Sequence, residues 1–422
     1  MNILIKNAVI TDPSSKFNEK KLDVLIEKGM ITSIKSSIKP EKNTKVIEGD
    51  NLFVSPGWFD MQARFCDPGY EYKEDLTSGI SAAMRGGFTG VCLMPSTNPP
   101  LDNKSQIEYI RNKSSEYLVE VFPAGSITQG LDGKELAEMY DMKRSGAVVF
   151  SDDKNSIKDS GLFLRALQYA ENIGSFLMIH CEDKSLSAKG QMNEGIVSTK
   201  LGLKGIPSLA EEIMTIRNLA LMNYAGGKLH IANVSCKKAL DSIKKAKANG
   251  LSLTTSVAAH QLLLDDSSLT GFDTHFKVTP PLRSEDEMEY LKRGILSDTI
   301  DVICSDHTPE DVENKQLEFD LAAFGMSTIE TTYPAANTAL GNKISQQQLI
   351  EKLSINPRKI LGLSVPKINE NEKANLTVFD PSEKWTFETK GMKSKSKNSP
   401  FDGFEFTGKV IAVVNKGMLN MY

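Results

Sequence analysis

Apolar positions along the chain fall into two styles. Residues 1–54 carry short runs, Ile3-Leu-Ile, Ala8-Val-Ile, Asp23-Val-Leu-Ile, Met30-Ile-Thr-Ser-Ile and Asn51-Leu-Phe-Val, separated by charged, Gly or Asn turns. Such spacing predicts strands joined by tight turns. Residues 366–422 return to this style with Leu376-Thr-Val-Phe, Trp385-Thr-Phe and Gly408-Lys-Val-Ile-Ala-Val-Val. Two β-rich ends around a long middle predict one small β-sandwich domain built from 1–54 plus 366–422. The lysines at 390, 393, 395 and 397 read as a solvated loop of that domain.

Residues 55–365 alternate strand-like runs with helical patterns. The runs are Trp58 to Phe65, Phe88-Thr-Gly-Val-Cys-Leu-Met, Leu118-Val-Glu-Val-Phe, Gly146-Ala-Val-Val-Phe, Ser175-Phe-Leu-Met-Ile-His, Lys228-Leu-His-Ile-Ala-Asn-Val, Leu251-Ser-Leu-Thr-Thr-Ser-Val and Thr299-Ile-Asp-Val-Ile-Cys. Several are almost continuously apolar, as strands covered on both faces are. Among the intervening helices, Ser208 and Glu211 have the spacing of a capping box, and Ile213, Ile216 and Ala220 share one face. Eight such units predict an α/β chain with a (β/α)8 TIM barrel. A doubly wound open sheet is the competitor, but no Gly-rich phosphate fingerprint follows any strand.

Composition narrows the function classes. A chain of 422 residues, 40% hydrophobic and 25% charged, is globular in proportion. Its net charge of −4 offers no basic field, so nucleic acid is not an expected partner. No apolar run reaches the ~18 residues of a membrane span, and Met1 to Ile10 reads as a strand rather than a leader. The five cysteines show no C-x-x-C spacing and read as buried reduced thiols, which suits a cytoplasmic setting.

In a barrel of this kind, chemistry belongs at the C-terminal ends of the strands. Strand one brings Gln62 and Arg64, two apart and so on one face. Strand four brings Asp152 and Asp153, strand five His180, strand six His230 and Asn233, and strand eight Asp306 and His307. A lone histidine at a strand end is more often a hydrogen-bonded structural residue than a ligand. Several polar groups converging on one mouth point the other way, because burying them is costly unless they have partners or a role.

Ordered landmarks sharpen this reading. They run from Pro56-Gly57 through Asp67-Pro68-Gly69, then Gly86-Gly-Phe-Thr-Gly to Met94-Pro95, Ser151-Asp-Asp, His180-Cys-Glu-Asp, Asn193-Glu-Gly, Gly205-Ile-Pro, Pro280-Pro-Leu-Arg283, Ser305-Asp-His-Thr-Pro, Phe324-Gly and Lys397-Asn-Ser-Pro-Phe. From end to end the chain resembles the dihydroorotases of the amidohydrolase superfamily, in the long form related to the domain of multifunctional pyrimidine-synthesis complexes. The resemblance implies zinc-dependent hydrolysis of the cyclic amide of dihydroorotate. It also implies an H-x-H on strand one, an Asp after strand four, histidines from strands five and six, and an Asp after strand eight as general acid/base. A bound metal supplies hydroxide near neutral pH and polarises the scissile carbonyl.

Carried over by position, the set keeps Asp153, His180 and Asp306, the last being the acid/base position. Gln62, Arg64 and Asn233 stand where three nitrogen ligands are expected. A glutamine amide is a poor zinc ligand, and an arginine is a fixed cation with no lone pair to offer. On the substrate side, Cys66, Ser96 and Glu310 replace an arginine, an asparagine and a histidine; Thr328 stands for a glycine, and His307 follows Asp306. These departures lead us to expect a pseudoenzyme with a vestigial metal site and no cofactor, acting as a structural or regulatory partner in pyrimidine biosynthesis. The resemblance implies a homodimer, with aspartate carbamoyltransferase as a partner. Two alternatives stay open. One is an active dihydroorotase or other cyclic amidohydrolase that binds zinc through Asp153, His180 and Asp306 with Gln62. The other is a metal-free enzyme or a binder of a cationic or zwitterionic ligand. Arg64 is expected to lie between Asp153 and Asp306 as their counter-ion.

Overall fold

A computed structural model describes all residues, 1–422. Both ends of the chain enter one eight-stranded sheet. Its order runs Met418–Met421, Glu405–Asn415, Leu376–Thr386, Phe53–Pro56, Asn2–Ile10, Lys21–Glu27 and Met30–Lys35, with Thr44–Ile47 also on Asn2–Ile10. The strand Asn2–Ile10 changes partner along its length. Residues 2–5 pair in parallel with 44–47, whereas Val9 and Ile10 pair with Phe53 and Val54. Asn7, at φ 52°, sits at the switch. Ile3, Ile5, Val24, Ile26 and Val54 from one end of the chain share a core with Leu376, Val378, Ala412 and Val414 from the other. The two termini thus complete one hydrophobic unit.

The chain passes from this sheet into the barrel at Pro56-Gly57. A side chain on Gly57 would fall 2.1 Å from Asn375 Oδ1 and 2.2 Å from Thr89 Oγ1, so the junction has room for glycine only. Parallel strands follow in two arcs. Trp58–Ala63, Phe88–Leu93 and Glu120–Pro123 form one; Leu177–His180, Leu229–Ala232, Leu253–Ala258 and Val302–Cys304 form the other. The fourth run, Gly146 to Phe150, is not a strand of its own but a single position. Phe150 bridges Gly125 on one side and Leu177 on the other. The run starts from Gly146 in the left-handed region (φ 110°) and its neighbour Pro123 has no N–H to donate, so the ladder stays short. Ala63 bridges His307 and closes the ring.

Asp60 reinforces that closure. Its buried carboxylate accepts the Ser305 backbone N–H (2.8 Å) and the Ser305 hydroxyl, joining strand one to strand eight. Phe59, Met61, Cys92, Met94, Met178 and Cys304, drawn from strands around the ring, meet in one cluster, which the ring must therefore enclose. Helices cover the outside and bury the larger core.

The helix Ser208–Ala225 departs from the sequence expectation in two ways. It has no side-chain cap, and Glu211 turns inward to accept Ser235 N–H (2.8 Å), the Ser235 hydroxyl and Cys236 N–H (3.3 Å). The inward apolar face is Ala210, Met214, Leu219 and Met222, while Ile213 and Ile216 are 42% and 50% exposed. All five cysteines are free and buried. Around residues 390–397 the lysines point to solvent and the serines inward, where Ser394 meets Glu74. No helix is long and apolar enough to cross a membrane.

Candidate functional site

Four non-glycine residues in the left-handed region mark the mouth of the barrel. Cys66 (φ 59°), Asp153 (53°), Asn233 (54°) and Asp306 (51°) follow strands one, four, six and eight. Such backbone is strained by about 1–3 kcal/mol per residue and concentrates at functional sites. Serines brace three of these turns. Asp153 N–H donates to Ser151 Oγ (2.9 Å), Asn233 N–H to Ser256 Oγ (3.2 Å), and His307 N–H, just after Asp306, to Ser305 Oγ (3.0 Å).

Arg64 occupies the centre of this ring. Its Nε donates to Asp153 Oδ2 (2.7 Å) and its Nη2 to Asp153 Oδ1, a two-pronged pair. Its Nη1 donates to Asp306 Oδ1 (3.0 Å) and to Thr308 Oγ1 (2.8 Å). Sequence reasoning overlooked a second cation, Lys154, whose Nζ donates to Asp306 Oδ2 (2.8 Å) and to the Thr279 carbonyl. Its only signal was its place after Ser151-Asp-Asp. Ser96 donates its hydroxyl to Asp153 Oδ2 (2.5 Å). Every oxygen of the two carboxylates therefore has at least one donor.

Burial alone would raise both carboxyls. Lys154 and Arg64 outweigh it at Asp306 and hold that group down at about 2, and Arg64 does the same for Asp153 in direction. Burial pushes Lys154 below its ordinary value, with Asp306 opposing. Asp306, ionised and bonded through both oxygens, is a weak base.

The other expected positions lie around this centre. Gln62 is buried, with Oε1 3.9 Å from the Cys304 thiol; that thiol also donates to Asn233 Oδ1 (3.1 Å), while Asn233 Nδ2 has no partner. His180 is buried, with an unpartnered Nε2 3.5 Å from Glu182. Cys66 is buried and its thiol is pushed up to about 12, chiefly by burial. Glu310 pairs with Lys73 (2.9 Å). His307 Nδ1 accepts Thr328 N–H (3.1 Å), and its Nε2 lies 3.5 Å from Glu74. Asp152 takes Ile127 and Thr128 N–H (2.8 and 2.9 Å), fixing the turn after strand three. His230 is not at the mouth: it lies within its strand, fully buried against Thr254 (2.8 Å) and Ser256 (3.1 Å). His260, after strand seven, is buried with neither ring nitrogen partnered.

A cavity of about 210 Å³ opens above the centre, lined by Arg64, Lys154 and Asp306 with Thr279, Thr308 and Phe324. Cys66, Ser96, His307, Glu310 and Thr328 do not line it. The donor set does not fit a zinc ion. Zinc needs lone pairs from several ligands. Here the two carboxylates point theirs at Arg64 and Lys154, Asn233 Oδ1 faces a thiol, and His180 is the one imidazole among the six positions.

The barrel, the end-built sheet and the polar mouth define an amidohydrolase-type fold. The L-hydantoinase (dihydropyrimidinase) from Arthrobacter aurescens superposes with TM-score 0.85 over 99% of this chain and 95% of its own, at 22% identity. The dihydropyrimidinase from Brevibacillus agri gives 0.83 at 22% identity, with the same coverage. In sequence, a family described as dihydro-orotase-like matches residues 51–239. The dihydroorotase of Trichlorobacter lovleyi is 42% identical over 421 residues, 99% of both chains, and that of Geobacter metallireducens 42% over 410 residues, 97% of this chain and 96% of its own. The chain belongs to the dihydroorotase family.

Proposed function

We propose that this chain is a dihydroorotase-family barrel of pyrimidine biosynthesis that does not open the dihydroorotate ring, and that it serves as a structural or regulatory partner of another enzyme. The observation that carries this reading is the Arg64 guanidinium, bonded to both Asp153 and Asp306 where the family resemblance calls for metal. A cation at that point opposes a second cation directly. Asp306, held near 2 by Lys154 and Arg64 against its burial, is a poor proton acceptor for hydrolysis. Aspartate carbamoyltransferase is the partner to try first, and a homodimer the form to look for.

A second reading is an active dihydroorotase using a reduced ligand set. It is favoured by the relatives, which are named dihydroorotase and are 42% identical across nearly the whole chain. Those names speak for activity more directly than anything speaks for a partner role.

Elemental analysis of the purified protein, beside a dihydroorotate hydrolysis assay with added zinc, separates the two. The proposal expects far less than one zinc per chain and no turnover above the zinc blank. Near-stoichiometric zinc with turnover refutes it and establishes the second reading. Co-sedimentation with aspartate carbamoyltransferase tests the partner role.

A further inference from the structure

A second cavity, of about 320 Å³, lies outside the barrel at the seam with the small sheet. Its volume is at the lower end of the ~300–1,000 Å³ usual for small-molecule sites. Glu330, from the segment after strand eight, forms one wall. Its side chain is 1% exposed, and Oε1 accepts the backbone N–H groups of Lys393 (2.7 Å) and Ser394 (2.9 Å). Oε2 has no hydrogen-bond partner. Arg85, the last residue of the helix Leu76–Arg85, brings its Nε to 3.3 Å of that oxygen, in a geometry that makes no hydrogen bond. The Arg85 guanidinium pairs with Glu330 by charge and also rests over the Tyr422 ring at 5.6 Å. Trp385 and Phe387 supply an aromatic wall, packed edge to face at 5.8 Å.

The remaining charges at the rim are already paired, Lys409 with Glu383 (2.5 Å) and Glu388 with Lys390 (3.1 Å). The cavity therefore offers an Arg85–Glu330 ion pair without hydrogen-bond geometry, guanidinium donors left over from that pair, and an apolar face. A simple cation would meet Arg85, and a simple anion would meet Glu330. A molecule carrying both charges satisfies both, since buried polar atoms left without partners are destabilising.

We propose that this seam cavity is a binding site for a free α-amino acid with an aromatic or branched side chain. The ammonium sits on Glu330 Oε2, the carboxylate on Arg85, and the side chain against Trp385 and Phe387. The site shares no lining residue with the mouth cavity.

Isothermal titration of the full-length protein with L-phenylalanine, L-tryptophan and L-leucine tests it, with 2-phenylethylamine and 3-phenylpropionate as single-charge controls. At least one amino acid is expected to give a saturable 1:1 isotherm, with each control at least ~10-fold weaker. Arg85→Gln and Glu330→Gln are each expected to weaken binding ~10-fold or more. The glutamine at 330 keeps an acceptor for Lys393 and Ser394, and unchanged circular dichroism certifies both folds. No saturable binding by any of the three, controls that bind equally well, or Arg85→Gln binding unchanged would each overturn the proposal.

Discussion

Arg64→Met tests the counter-ion argument most directly. Methionine keeps part of the side-chain volume and deletes the charge. Asp153 then loses both prongs of its pair and keeps only the Ser96 hydroxyl, whereas Asp306 retains Lys154. Arg64 and both acids are almost fully buried, so solvent does little to screen the loss. Removing one partner of a buried pair typically costs about 3–5 kcal/mol, most of it from the charge left behind. We expect about 4 kcal/mol here. For 422 residues, an unfolding entropy of about 2.1 cal/mol/K per residue gives about 0.9 kcal/mol/K, hence a fall of roughly 4–5 °C in Tm for a chain melting as one unit.

Two further readouts separate a stranded charge from lost packing. Adding Asp153→Asn to Arg64→Met removes the stranded charge and should recover about half of the loss or more. The pH dependence should also invert. In the wild type, Asp153 sits below its ordinary value, which stabilises the fold above the unfolded pKa and is lost in acid. Without Arg64, burial raises Asp153 above its unfolded value, so the mutant's deficit shrinks as pH falls from 8 toward 5. Urea unfolding across that range measures both. A loss under about 1 kcal/mol, or a double mutant no more stable than Arg64→Met, would refute the counter-ion role.

Other outcomes follow from the same geometry. The triple variant Gln62→His, Arg64→His, Asn233→His should raise zinc content severalfold with little turnover, because Lys154 still holds Asp306 and Cys66, Ser96 and Glu310 remain; elemental analysis and the hydrolysis assay read the two separately. In the wild type, the Asp306 contribution, about 2 kcal/mol for a group moved from near 4 to about 2, should be full above pH 4 and fade between pH 4 and 2, which Lys154→Met should blunt in acid-unfolding curves. Glu211→Ala strands Ser235 and Cys236 N–H and should destabilise by about 3 kcal/mol, whereas Ile216→Ala on the same helix, half-exposed, should stay within about 0.5 kcal/mol; urea midpoints at constant slope decide.

Where the sequence was legible, one periodicity had one explanation. Alternating short runs at both ends are strands of one sheet, and seven of the eight apolar runs between helices are covered parallel strands, the run Gly146 to Phe150 being the exception. The helix Ser208–Ala225 was misread because Ile213, Ile216 and Ala220 repeat at helical spacing as well as its buried face does. What turns Glu211 inward is Ser235, more than twenty residues away, and no local pattern carries that. His230 was placed at the mouth as a residue at the end of strand six, yet Thr254 and Ser256 on the adjacent strand satisfy both its nitrogens inside the sheet. Lys154 escaped notice because a lysine beside two aspartates looks like a solvated surface run; only the fold brings Asp306, 152 residues on, within 2.8 Å.

The backbone explains why the mouth keeps its shape whatever fills it. Asp153, Asn233 and Asp306 sit in the left-handed region, where Asp and Asn are the non-glycine residues best tolerated. Serine hydroxyls near each turn fix the local geometry without calling on any group at the centre. The scaffold thus aims carboxylates inward irrespective of their counter-ion, and keeping two buried acids ionised without one would cost several kcal/mol. Some cation is required there. Arg64 and Lys154 provide it from within the chain, in a form that cannot dissociate and cannot carry a hydroxide. On the reading proposed above, arginine at one expected ligand position, with glutamine and asparagine at two others, leaves the fold intact without the metal chemistry, consistent with a chain 42% identical to named dihydroorotases.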